Sequence, residues 1–247
     1  MKTPLVSINL NAALDQLALI CRGASDIGLD LLDAINVQPD VLSHQFDQAS
    51  NDQLLSQTRQ ALETAILAAK PSDEAKSEPW LNAALEIATD KAFPEILREI
   101  PVTVSIFLGA IMEVAAEHGF DPADSLVMKR CLAVMCVAGP FVEDSGSDMV
   151  SLVARIDLTG LTAHGVVLRV APRLSEALAM KLGAQMLPMS GPAITTATSY
   201  AFTSYYQAMA RVLFGLMVLA SQTGQSLEAL GERLYQRMGK DSLAALR

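Results

Sequence analysis

Hydrophobic positions recur along most of the chain at spacings of three and four residues, the pattern of amphipathic helices. In the first third, one predicted helical face consists of Leu10, Leu14, Leu17, Ala18 and Cys21, and a second of Ile27, Leu31, Leu32 and Ile35. A stronger stripe predicts a helix from about Asp52 to Lys70, where Pro71 ends it.

Proline, glycine and capping residues divide the rest of the chain into further predicted helices. These lie at about 77–91, 102–118, 121–139, 149–158, 172–187, 193–222 and 226–239. The segment VVLRV at 166–170 is a plausible strand, although helix is favoured there. Residues 71–79 are polar with proline at both ends, which indicates a linker. We therefore predict an acidic helical region over 1–75 and a second helical domain over 76–247.

Composition supports an all-α protein. Hydrophobic residues make up 51% of the chain but aromatic residues only 5%, so alanine and aliphatic side chains supply most of the apolar mass. The net charge is −9, and residues 1–100 carry 15 acidic and 7 basic side chains. Such a balance argues against nucleic acid as a partner and gives no general attraction to anionic lipid. The first residues lack a sustained apolar run, which indicates a cytoplasmic protein.

One long segment is almost free of charge. Residues 182–210 carry no formal charge, and Arg211 is the only charged residue between Lys181 and Glu228. Three interpretations are open: a central helix surrounded by other helices, a helical hairpin lying on or dipping into a bilayer, or a membrane span. The hydroxyl-rich run ITTATSYAFTSYYQ suits close contact between helices. We predict a compact helical bundle around this long central helix.

Candidate chemistry is sparse. The histidines lie on different predicted elements, the three cysteines have no metal-ligand spacing, and no phosphate-binding glycine loop or nucleophile elbow is present. We therefore predict no catalytic residue, no metal and no cofactor. If Arg211 is buried, its guanidinium requires a partner, either an acid such as Glu113 or Glu117 or the anionic group of a ligand.

Two blocks of the sequence resemble the EcsC family. The first is EIPVTVSIFLGAIMEVAAEHGFDPADSLVMKRCLAVMCVAGP at 99–140, and the second is KLGAQMLPMSGPAITTATSYAFTSYYQAMARVLFGL at 181–216. The matched positions of the second block are Lys181, Ala184, Gln185, Pro188, Gly191, Tyr206, Gln207, Ala210 and Arg211. The resemblance covers about 95–220, roughly half the chain. It implies a bacterial protein linked to ABC-type transport or envelope processes, and it does not imply a reaction.

The chain departs from the family pattern at several polar positions. Ser199 replaces a common asparagine, Ser204 and Tyr205 replace an Asp-His pair, and Gly215 and Leu216 replace a basic pair. Any chemistry that those polar residues carry in relatives is therefore expected to be lost here.

Two hypotheses about function follow. The first is a non-enzymatic accessory protein at the inner face of the membrane, whose partner is the membrane surface or a membrane protein contacted through 186–220. The second is a soluble helical enzyme or small-ligand binder with a pocket near Lys181, Gln185, Gln207 and Arg211. The candidate ligand-binding residues are Lys181, Gln185, Tyr206, Gln207 and Arg211.

Overall fold

A computed structural model describes residues 9–69, 97–142, 160–188 and 191–239. Within these ranges the chain is helical and contains no strand, which confirms the predicted all-α class. The helices are α1 (Leu10–Gly23), α2 (Asp26–Ala34), α3 (Pro39–Ser43), α4 (Gln48–Ala68), α5 (Ile100–Glu117), α6 (Ser125–Val134), α7 (Ala163–Gln185), α8 (Pro192–Thr223) and α9 (Leu227–Arg237). A 3₁₀ turn at Leu97–Glu99 leads into α5.

Side-chain caps fix where many of these helices begin. The side chains of Asn9, Asp47, Asp124, Thr162 and Ser226 each accept a hydrogen bond from a backbone N–H in the first turn of the helix that follows. Those N–H groups have no partner inside the helix, so a side-chain oxygen at this position stabilises the helix start by roughly 1 kcal/mol.

Four helices close a ring around the core. α4 packs on α5 and α7, and α8 packs on the same two helices from the other side. α4 and α7 run in opposite directions, because Glu63 near the end of α4 meets His164 at the start of α7. The short 186–191 connection and the bond between Gln185 and Ser199 make α7 and α8 antiparallel as well.

α8 is the central helix, as the sequence predicts. Besides α5 and α7 it contacts α1, α2, α6 and α9. Aromatic rings mark its buried side: Phe202 stacks on Phe107 of α5, and Phe214 lies against Phe120. The uncharged segment is therefore sheltered from water chiefly by other helices of the same chain.

Several predicted boundaries are wrong. α7 begins at Ala163 rather than Pro172, since Thr162 caps its start. Pro172 lies inside the helix on its exposed side, so the missing hydrogen bond to the Leu168 carbonyl does not break the helix. The 166–170 segment is helical, as favoured.

α6 was predicted to begin at Asp121 and Pro122 and to end near Gly139. It spans only Ser125–Val134, because Asp124 accepts hydrogen bonds from Leu126 and Val127 while Asp121 closes a turn on Ala123. α4 begins earlier than expected, since Asp47 caps it. The short helix α3 was not predicted.

Helices from both sides of the predicted boundary at residue 75 contribute to one buried cluster. Leu14 and Leu62 of the N-terminal region and Phe107, Leu174 and Phe214 of the remainder all belong to it. The boundary itself stays a prediction. The predicted linker 71–79, the loop 143–148 and the helices at about 77–91 and 149–158 lie outside the described residues.

Only one stretch of the described residues, Leu97–Glu117, has the length and apolarity to cross a bilayer. A little over half of it is buried inside the bundle, which is equally the pattern of a core helix. α8 does not meet the same test, because hydroxyl side chains lower its hydropathy.

Close packing at one glycine generates a stability prediction. A Cβ atom on Gly28 of α2 would lie 2.5 Å from the Pro140 carbonyl oxygen, a backbone atom that cannot swing away. We expect Gly28→Ala to lower the free energy of unfolding by about 1–3 kcal/mol in urea denaturation. The control is Gly109→Ala on α5, where nothing lies within 4 Å and the helix should gain about 0.5–1 kcal/mol. Equal effects of the two substitutions would contradict the close approach.

Candidate functional site

Lys181 is a basic residue buried in the core of the bundle. It lies one turn before the end of α7, and only 2% of its surface is exposed. Its Nζ atom has no hydrogen-bond partner within the described residues. A buried ammonium group without a partner is costly, so most proteins avoid one unless it has a use.

The pKa of Lys181 reflects this enclosure. Burial disfavours the charged form and lowers the pKa from 10.5 to about 8, while the negative charge of Glu99 opposes that shift. Glu99 precedes α5, so this electrostatic contact joins the start of α5 to the end of α7. Lys181 is therefore largely but not fully charged near neutral pH.

Gln185 and the hydroxyl residues of α8 line the same end of the bundle. The Gln185 side-chain nitrogen lies 3.5 Å from the Ser199 hydroxyl, which ties the end of α7 to the third turn of α8. The neighbouring Thr198 hydroxyl is fully buried and has no hydrogen-bond partner in the described part of the chain. This end of the core therefore holds more polar atoms than its own hydrogen bonds satisfy.

Tyr206 belongs to the aromatic core rather than to a pocket. Its ring centroid is 4.8 Å from that of Phe107 and 5.5 Å from that of Tyr205. Burial, with smaller contributions from Tyr205 and Cys136, raises the pKa of its hydroxyl well above the usual value. The hydroxyl has no hydrogen-bond partner among the described residues, and the side chain stays neutral.

Gln207 and Arg211 lie farther along α8 and are half-buried. Helical rise places them about 12 Å and about 18 Å beyond Ser199, the residue that Gln185 contacts. The expected ion pair of Arg211 with Glu113 or Glu117 is not formed, because neither acid lies within salt-bridge distance in this described region. The four residues of the predicted ligand pocket are therefore spread along α8, from Gln185 opposite Ser199 to Arg211 about 18 Å farther on.

The end of the bundle near Lys181 exposes apolar side chains. Met186 follows α7 directly and is 38% exposed, and Tyr200 on α8 is 58% exposed. Val102, in the first turn of α5, is 46% exposed. The link between Glu99 and Lys181 and the bond between Gln185 and Ser199 place all three at one end of the molecule. We call Val102, Met186 and Tyr200 the apolar end.

Sequence patterns identified part of this arrangement. The absence of charge over 182–210 indicated an unusual surface or core, and Met186 and Tyr200 lie in that segment. Val102 was missed, since the apolar pattern of α5 does not show which of its positions face water.

The described residues hold no group of three or more histidine, cysteine and acidic side chains placed to bind a metal ion. Comparison with protein families, curated proteins and solved structures finds no match to this chain. What the site does must therefore be argued from its own geometry.

The buried amine predicts an unusual pH dependence of stability. The folded protein loses the Lys181 proton near pH 8, whereas the unfolded chain keeps it to about 10.5, so this group destabilises the fold below pH 8 and ceases to do so as the pH rises to 10.5. We expect Lys181→Met to raise the free energy of unfolding at pH 7 by about 2–3 kcal/mol. The advantage should shrink between pH 8 and 10.5 in urea titrations.

Lys129→Met on α6 is the matched control, because this lysine is only half-buried. Its stability curve should run parallel to that of the unmodified protein over the same pH range. A constant difference between Lys181→Met and the unmodified protein at all pH values would show that the amine is not desolvated.

Proposed function

We propose that this chain is a non-enzymatic accessory protein of the bacterial inner membrane, linked to ABC-type transport or envelope processes as its EcsC resemblance implies. In this proposal it docks on the cytoplasmic lipid surface through the apolar end. The observation that carries the proposal is the exposure of Met186, Tyr200 and Val102 at one end of the bundle, the first two within the segment 182–210 that has no formal charge.

The physical argument begins with charge. A net charge of −9 repels a surface of anionic lipid, so electrostatic attraction cannot drive docking. Burial of apolar area can, because each apolar side chain that leaves water contributes roughly 1.5–3 kcal/mol when fully buried. Tyr200 adds a side chain with an apolar ring and a polar tip, the type enriched where lipid meets water.

The alternative function, an enzyme or small-ligand binder around Lys181, Gln185, Gln207 and Arg211, receives less support. Gln185 contacts Ser199, which lies about 18 Å along α8 from Arg211. That distance is too long for one small-molecule pocket to include both Gln185 and Arg211. Among the residues that the structure describes, the Lys181 amine has no hydrogen-bond partner and could bind a ligand, which favours this alternative. Neither Gln207 nor Arg211, however, forms a hydrogen bond with that amine.

Flotation with vesicles of phosphatidylethanolamine and phosphatidylglycerol tests the proposal. We expect the full chain to bind these vesicles, and to remain bound at about 0.5 M salt because screening does not weaken apolar burial. Substituting both Met186 and Tyr200 by serine should reduce the vesicle partition constant by about thirtyfold, since each side chain is only partly exposed and contributes about 1 kcal/mol.

Leu67→Ser is the matched control. Leu67 is 67% exposed near the end of α4, which lies beside the start of α7 and thus at the opposite end of the bundle. Its substitution should leave vesicle binding unchanged. No vesicle binding by the full chain, or an equal loss in the Leu67 variant, would overturn docking through the apolar end.

A further inference from the structure

A groove lies between the first half of α4 and the second half of α7, with its α7 residues 172–180 roughly 9–21 Å along the helix from Met186. Its volume is about 470 Å³, within the range of pockets that hold small organic molecules. Its floor is apolar: Leu54, Ala179 and Met180 line it, and each is at least nine-tenths buried. The groove can therefore cover an aliphatic group of a few carbon atoms.

The polar lining of the groove offers mainly acceptors. Asp52 and Glu176 supply carboxylates from the two helices, and the described residues that line the groove include no lysine or arginine. The Asn51 side-chain nitrogen donates to the Phe46 carbonyl, which leaves its oxygen as an acceptor.

The donors in the wall are largely used within the protein. The Ser175 hydroxyl donates to the Pro172 carbonyl, and the Gln48 amide donates to Asp52. A ligand that brings only donors suits this wall.

We propose that the groove binds a small organic cation, an ammonium group carried on an aliphatic chain. An ammonium group has three donors and no acceptor, which matches the carboxylates and the Asn51 oxygen. The aliphatic chain would lie on Leu54, Ala179 and Met180. An anionic ligand of the same size would instead meet the two carboxylates of Asp52 and Glu176.

Neighbouring charges favour the same ligand. Arg173 lies 3.5 Å from Glu176, but both side chains are more than 60% exposed, so this ion pair is weak and leaves the carboxylate available. The acidic balance of residues 1–100, with 15 acids and 7 bases, adds a negative field that attracts cations.

Titration calorimetry of the full chain with hexylammonium tests the inference, and hexanoate serves as the matched probe of opposite charge. We expect saturable binding of hexylammonium at one site. Hexanoate should bind at least about tenfold more weakly, because its carboxylate loses the charge-assisted hydrogen bonds. Absence of saturable hexylammonium binding, or equal binding of hexanoate, would overturn the proposal.

A pair of charge-matched variants locates the site. Asp52→Asn combined with Glu176→Gln removes two exposed carboxylates and should weaken hexylammonium binding by about tenfold or more while the helical circular dichroism stays unchanged. Asp30→Asn combined with Asp33→Asn removes two exposed carboxylates from α2 and should have little effect. Equal losses in the two double variants would show general charge attraction rather than a site in the groove.

Discussion

The structure depends on the need to bury α8. This helix has 32 residues and one formal charge, so water is a poor environment for nearly all of its surface. α5 and α7 cover one side of it, and α1, α2, α6 and α9 contact it elsewhere. Small residues allow some of this packing: at Gly215, a Cβ atom would meet the Leu17 side chain at 2.9 Å. The arrangement of the other helices follows from the need to cover α8 more than from their own helix propensities.

Lys181 is the exception to an otherwise apolar interior. The energetic cost of enclosing its amine is tolerable because Glu99 opposes the shift in its pKa and because the amine can release its proton near pH 8. The hydroxyl residues Thr198 and Ser199 make this end of the core more polar than the Phe107 and Phe202 region farther along α8. The interior therefore changes character along its length, from polar atoms near the apolar end to stacked aromatic rings at the centre.

The sequence predicted the long helix and its central position because absence of charge over so many residues has few structural solutions. Ser226 and Gly239 also identified α9, since a capping side chain and a left-handed glycine act locally. The prediction that α7 begins at Pro172 was wrong, because Thr162 caps an earlier start and a proline on the exposed side of a helix is tolerated. How far Gln185 lies from Arg211 along α8 was not predictable from motif spacing, since it depends on how α7 pairs with α8. The absence of an ion pair between Arg211 and Glu113 or Glu117 was not predictable for the same reason.

The two proposed surfaces differ in charge, so they are expected to bind different partners. The apolar end carries exposed Met186, Tyr200 and Val102, whereas the groove between α4 and α7 carries Asp52 and Glu176. Anionic lipid repels the carboxylates of Asp52 and Glu176. The Debye length of about 8 Å at physiological salt limits that repulsion to parts of the protein close to the membrane. In a molecule docked by its apolar end, Glu176 would lie beyond this distance, because it precedes Met186 by ten residues, roughly 15 Å along α7. The groove would then stay open to the cytoplasm while the apolar end is covered, so one bundle can present both surfaces at once.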